Sequence, residues 1–181
     1  MFDRFFLPLH VLIVVGFLSV AANANEIIGR ERLIERLYPI TGESIKAIHV
    51  VIPFVIGSAR LEPAAYKQLD ELGAALASEK MVGLVIGVFG HTDASGSSAN
   101  NERLSLARAN SVVRYMVKRF KLIESEITTA GYGESKPLDP ADPYAAVNRR
   151  VEVTARLPGI ETPSLDSKFK PSLGATFIIN N

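Results

Sequence analysis

An aspartate and an arginine on either side of a loop of small residues are the strongest chemical signal in the sequence. Asp93 follows an apolar run at 81–90, and Arg108 comes fifteen residues later, beyond "ASGSSANNERLSLA". Asp93 could be a turn residue that bonds its own backbone. It could also pair with Arg108, but an exposed ion pair contributes only about 0–1 kcal/mol. A ligand carrying an ammonium and a carboxylate would gain roughly 1.5–3 kcal/mol from each charge-assisted bond. We favour the doubly charged ligand.

The helix predicted after this loop brings more polar groups to the same flank. Ser97 is a good N-cap for a helix over 98–120. Asn101 and Arg108 are seven positions apart, so they differ by about 20° around the helix axis. Leu104 shares their flank. The neighbouring apolar arc, expected to face the core, consists of Leu106, Ala109, Val112, Val113, Met116, Val117 and Phe120.

Hydrophobic periodicity predicts the elements that must position these groups. The order expected for the main domain is strand, helix, strand, helix, strand, strand. Pro53 in the first strand implies an edge position, a bulge or a break. The second strand is apolar on both faces and therefore expected to be central. The predicted strands cover 45–61, 81–90, 125–133 and 151–157, and the helices cover about 62–80 and 98–120.

The composition narrows the classes of function. The chain has 181 residues, of which 48% are hydrophobic, enough for one domain with a sizeable core. A net charge of +1 argues against nucleic-acid binding. The absence of cysteine excludes disulfides, thiolate metal sites and a lipid-bearing cysteine. The histidines, at 10, 49 and 91, show no ligand spacing, so we expect no metal and no cofactor.

Both ends of the chain differ from the central domain. Residues 1–24 combine a basic start, an apolar run and an Ala-Asn-Ala step, which is typical of a cleaved export signal. An uncleaved membrane anchor is the alternative. Residues 25–44 are expected to form a short amphipathic helix or linker, and 158–181 a flexible tail. In either case the domain at 45–157 belongs outside the cytoplasm.

Three motifs, taken together and in order, resemble the OmpA-like peptidoglycan-binding domain. They are "GHTDASGSSANNERLSLARANSVVRYM", "ITTAGYGESKPL" and "NRRVEV", and the resemblance runs from about residue 45 to 156. It implies an α+β fold of βαβαββ order, a mixed four-stranded sheet with helices packed on one face. It also implies peptidoglycan as the partner. The location implied is the periplasm or cell envelope of a Gram-negative-type bacterium, in association with the outer membrane in part of the family.

The resemblance also assigns roles to individual residues. Domains of this family bind the diaminopimelate side chain of the peptidoglycan stem peptide, whose free centre carries an ammonium and a carboxylate. The family's aspartate falls on Asp93 and its helix arginine on Arg108, which implies that this pair clamps the zwitterion. The remaining positions expected to contact the ligand are Thr92, Asn101, Leu104, Asn148 and Arg149.

Neighbouring residues are interpreted differently. Arg150 could contact the ligand or equally be a surface or sheet-edge charge, and Arg149 is preferred as the ligand contact. His91 is expected to orient the loop rather than to bind a metal or act as a base. Gly57 departs from the family pattern, because an acidic residue is common at its place, and that leaves part of the pocket rim undefined.

A binding module without catalytic activity is the favoured function. A protein-binding adaptor with the same fold, which has lost the wall ligand, is one alternative, and other envelope proteins are further candidate partners. A wall-cleaving enzyme is the other alternative, but glycosidases need two flanking carboxylates and zinc peptidases need spaced histidines. Membrane contact is expected only through an uncleaved N-terminal segment.

Overall fold

The computed structural model describes residues 27–39 and 45–159. The predicted export signal, and the predicted tail beyond residue 159, lie outside the described residues. Among the residues described, no helix has the length and apolar character needed to cross a membrane. In chain order the elements are α1 Arg30–Leu37, β1 Ile45–Val50, α2 Ala65–Leu76, β2 Val85–Gly90, α3 Ser98–Phe120, β3 Ile127–Gly131 and β4 Val151–Arg156.

The four strands form one mixed sheet in the order β1-β4-β2-β3. β4 pairs antiparallel with both β1 and β2, whereas β2 and β3 run parallel and are connected through α3. The predicted α+β fold with a mixed four-stranded sheet is therefore confirmed. β2 is an interior strand, as its continuous apolar character predicted, and β1 is at an edge.

One hydrophobic core joins the sheet to the helices. Alternate residues of the strands, such as Ile86 and Val88 in β2, are buried in the same cluster as residues of α1, α2 and α3. The predicted arc of α3 faces this core, with Val112, Val113 and Met116 fully or almost fully buried. α1 packs on this core through Leu33 and Leu37, and just before it Gln68 of α2 exchanges two hydrogen bonds with the backbone of Ile28, at 2.8 and 3.1 Å.

The first strand is shorter than predicted. β1 ends at Val50, and the prediction of a single strand over 45–61 was wrong beyond that residue. Pro53 has no N–H to donate to a β-ladder, so the strand cannot continue through it. It then forms a small hairpin, bridged between Phe54 and Leu61, whose turn includes Gly57 at a φ of +65°.

α3 lies unusually close to the ends of β2 and β3 around one buried serine. A Cβ atom on Gly90 would overlap the carbonyl oxygen of Ser105, and one on Gly131 would overlap the backbone nitrogen of Leu106. The Ser105 hydroxyl donates to Glu102 O at 2.8 Å and accepts from Gly133 N at 2.9 Å. Only glycines allow this approach, which fixes the start of α3 against the strand ends.

We predict that Gly90→Ala lowers the free energy of unfolding by about 2 kcal/mol or more, because the new methyl group overpacks a contact made by backbone. Gly29→Ala is the matched control, because a Cβ atom there meets nothing within 4 Å. Urea unfolding of both variants measures the difference. Equal midpoints for the two variants would contradict the proposed close contact.

Candidate functional site

The end of β2 is held by the segment that follows β3 and by the segment that precedes β4. His91 N donates to Arg150 O at 3.0 Å, and Thr92 N donates to Gly133 O at 2.9 Å. Ala94 N donates to Pro143 O at 3.0 Å. The backbone on either side of Asp93 is thereby fixed, which places this carboxylate at a defined point beyond the sheet.

Asp93 is almost buried, and it pairs with Arg149 rather than Arg108. Its Oδ2 accepts a hydrogen bond from Arg149 Nη1 at 2.7 Å, and its Oδ1 accepts one from Ser95 N at 3.1 Å. Burial alone would raise the pKa of Asp93. The hydrogen bonds from Arg149 and Ser95 outweigh burial, and the net pKa lies below its ordinary value. Asp93 is therefore a carboxylate at neutral pH.

Arg108 is held by a backbone carbonyl and an aromatic ring. Its Nε donates to Ser58 O at 3.1 Å, and its guanidinium carbon lies 5.1 Å from the centroid of the Phe54 ring. Among the described residues, no hydrogen bond engages its terminal nitrogens Nη1 and Nη2. Burial lowers the pKa of Arg108; the charge of Asp93 raises it and that of Arg149 lowers it further. The three charges thus form one electrostatic group, although Arg108 and Asp93 do not pair.

Asn101 and Thr92 are buried beside this group. Asn101 Nδ2 donates to Asp93 O at 3.3 Å and also to the Glu134 carboxylate. The Thr92 hydroxyl is buried and has no hydrogen-bond partner among the described residues. Leu104 is half-buried, one helical turn before Arg108.

Asn148 orders a loop and has no group left for a ligand. Its Oδ1 accepts from Leu138 N and Asp139 N at 2.8 and 2.9 Å. Its Nδ2 donates to Asp142 O at 3.0 Å and to Asp139 O at 3.4 Å. The side chain is fully buried, and both amide hydrogens and both oxygen lone pairs are engaged. The predicted ligand contact is therefore revised: Asn148 positions the loop that precedes Arg149.

Arg150 and His91 are internal residues. Of the two alternatives for Arg150, a surface charge does not hold, since the residue is buried and its guanidinium donates to His49 Nδ1 and to the carbonyls of Asn148 and Lys136. These hydrogen bonds offset the free-energy cost of removing the Arg150 guanidinium from water. His91 is buried, and its Nε2 lies 3.1 Å from Glu152 Oε2. Within 27–39 and 45–159, no three His, Asp or Glu side chains are grouped closely enough to hold a metal ion.

The structure brings together Asp93, Arg108, Arg149, Asn101 and Thr92, and it adds partners that the sequence analysis did not single out. Ser95 supports Asp93 through its backbone nitrogen, which no side-chain pattern reveals. The other partners lie in the segments 54–61 and 131–138, in which the sequence analysis assigned no ligand contact. The added partners are Phe54, Ser58, Ser95 and Glu134.

Comparison with known families agrees with this fold. The model of the OmpA family matches residues 53–150. The chain belongs to the OmpA family. This match contains Asp93, Arg108 and Arg149, and it confirms the resemblance drawn from the three motifs.

Similar proteins include outer membrane proteins that are longer than this chain. Outer membrane porin F of Pseudomonas fluorescens is 33% identical over 109 residues, which are 59% of this chain and 32% of that protein. Outer membrane protein A of Shimwellia blattae is 38% identical over 85 residues, or 47% of this chain and 35% of that protein. The chain thus spans about a third of the length of these relatives. Their names agree with the expected location in the cell envelope.

Solved structures of OmpA-like domains have the same fold. A MotB-like protein from Desulfovibrio vulgaris matches with a TM-score of 0.55 and 25% identity, over 70% of this chain and 80% of that one. The cell wall anchor of the T6SS from Pseudomonas aeruginosa matches with a TM-score of 0.54 and 21% identity, over 73% and 99% of the two chains. The OmpA-like domain of FopA1 from Francisella tularensis matches at 0.53 and 22%, over 66% and 79%.

The ionised Asp93 should make stability depend on pH. Because its pKa is lower in the folded state than in the unfolded chain, its contribution is fully present above the unfolded value of about 4. That contribution is lost as the pH falls through the folded value. We predict that Asp93→Asn lowers the free energy of unfolding by about 1 kcal/mol at pH 7, and that this difference shrinks below about pH 4.

Urea unfolding at neutral and acidic pH measures this effect. The control is Glu79→Gln, which changes an exposed carboxylate in a turn outside the site. A difference between wild type and Asp93→Asn that stays constant down to acidic pH would contradict the proposed role of the charge.

Proposed function

We propose that this protein binds peptidoglycan without cleaving it, through the ammonium and carboxylate of the diaminopimelate side chain. The observation that carries the proposal is the arrangement of Asp93 and Arg108. Their charges act on each other, yet the two side chains do not pair: Arg149 binds Asp93, and the Ser58 carbonyl binds Arg108. An acid and a base kept apart in this way suit a ligand that carries both opposite charges.

The contacts of each residue suggest how the ligand would be held. The ammonium would take the Asp93 Oδ2 position that Arg149 fills now, while Ser95 N keeps Oδ1 occupied. The ligand carboxylate would accept hydrogen bonds from the unengaged terminal nitrogens of Arg108. Contacts with Ser58 and Phe54 already hold that guanidinium, so little side-chain entropy is lost on binding.

The comparisons support this proposal at the level of the family. One protein with the same fold is described as the cell wall anchor of the T6SS from Pseudomonas aeruginosa. The relatives found by sequence are outer membrane proteins. By analogy, the domain would attach its carrier to the wall from within the cell envelope.

A protein-binding adaptor is the second candidate, because apolar side chains are exposed near the site. Ile56, at the tip of the hairpin that contacts Arg108, is 97% exposed, and Tyr144, next to the loop contact made by Pro143, is 65% exposed. Exposed apolar groups of this kind are common at protein interfaces. An adaptor would keep its partner when the charged site is removed.

We predict that Asp93→Ala and Arg108→Met each weaken binding to purified sacculi at least about tenfold, because each removes one charge-assisted contact. Met keeps an unbranched stem in place of the Arg108 side chain, which limits the loss of packing. The measurement is co-sedimentation of the purified protein with sacculi over a range of protein concentrations.

Arg114→Gln is the matched control, because Arg114 is an exposed arginine on the outer face of α3. Thermal unfolding of all variants separates loss of binding from loss of fold. Folded variants of Asp93 and Arg108 that sediment as wild type does would contradict the proposed clamp. Soluble fragments released from the sacculi by wild type would instead identify an enzyme.

A further inference from the structure

Arg149 is a second cation that faces the same carboxylate as the proposed ligand ammonium. Its Nη1 lies 2.7 Å from Asp93 Oδ2, and its side chain is 49% exposed. Arg108 is the other cation of the group, and its charge and that of Arg149 disfavour each other. The site therefore contains two guanidinium groups around one carboxylate.

Binding of an ammonium would leave both guanidinium groups in need of an anion. Asp93 is nearly buried and Ser95 N already bonds Oδ1, so an ammonium that approaches Oδ2 would displace or weaken the contact of Arg149 with that oxygen. The nearby Glu134 carboxylate already accepts from the Asn101 amide. A displaced Arg149, still close to Arg108, would be satisfied best by a second carboxylate of the ligand itself.

The backbone of Arg149 is fixed, whereas its head can move. Its backbone nitrogen donates to Ala146 O at 3.1 Å, at the end of a short 3₁₀ turn. The residues on both sides, Asn148 and Arg150, are buried and hydrogen-bonded. Only the half-exposed side chain can therefore turn from Asp93 to a ligand. The Arg149 backbone stays fixed at the edge of the site during this movement.

We propose that Arg149 binds the second, peptide-linked carboxylate of diaminopimelate, and that the site therefore prefers stem peptides that end at this residue. At the end of a tripeptide stem, diaminopimelate carries one ammonium and two carboxylates, which matches Asp93, Arg108 and Arg149. In a tetrapeptide stem that second carboxylate is an amide and has no charge to offer. This inference rests on the proposed function and adds selectivity among wall peptides to it.

The test compares two soluble ligands that differ only at this group. Isothermal titration measures binding of L-Ala-γ-D-Glu-meso-diaminopimelate and of the same tripeptide with its peptide-linked carboxyl group converted to the amide. Wild type is expected to bind the free acid about tenfold more tightly, as one charge-assisted contact would give. Arg149→Gln is expected to bind both ligands equally, and Arg149→Lys to recover part of the preference. Arg114→Gln is expected to behave as wild type.

The outcomes separate this inference from the proposed function. Equal binding of both ligands by wild type would overturn the role of Arg149 and leave the clamp of Asp93 and Arg108 standing. A preference that persists in Arg149→Gln would also overturn it. Failure of wild type to bind either ligand would overturn both proposals.

Discussion

The close contact between α3 and the ends of β2 and β3 is the constraint on which the site depends. Ser105 fills the space left by Gly90 and Gly131, and its hydroxyl links the helix to the backbone of Gly133. Asn101 lies one turn before Ser105 and Arg108 almost one turn after it. The distance of both side chains from Asp93 is thus set by backbone contact, which leaves little room for adjustment.

The electrostatics of the site follow from that placement. Asp93 is desolvated, yet it remains ionised because Arg149 and Ser95 bond both of its oxygens. Arg108 is desolvated as well, but a neutral carbonyl and a ring hold it. In a buried ion pair between Asp93 and Arg108, each charge would neutralise the other. Separate anchors keep each charge in place, and within the part of the chain that the structure describes no hydrogen bond engages the Arg108 terminal nitrogens.

The sequence predicted the elements better than the contacts. The bounds of α3 and the central position of β2 followed from long apolar patterns, and Pro53 indicated the break after β1. The partner of Asp93 did not follow, because Arg149 is separated from it by 56 positions and is placed by a loop whose Leu138 N donates to Asn148 Oδ1. Burial of Arg150 was missed for the same reason, since its acceptors are backbone carbonyls and a histidine on another strand.

Gly57 stands where an acidic residue is common in the family, and here a backbone carbonyl next to it contacts Arg108. With a φ of +65° it occupies a conformation that side chains disfavour, and the turn closes through a hydrogen bond from Ser58 N to Val55 O at 2.9 Å. That turn presents the Ser58 carbonyl to Arg108 Nε. A neutral carbonyl thus positions the guanidinium of Arg108 without neutralising its charge.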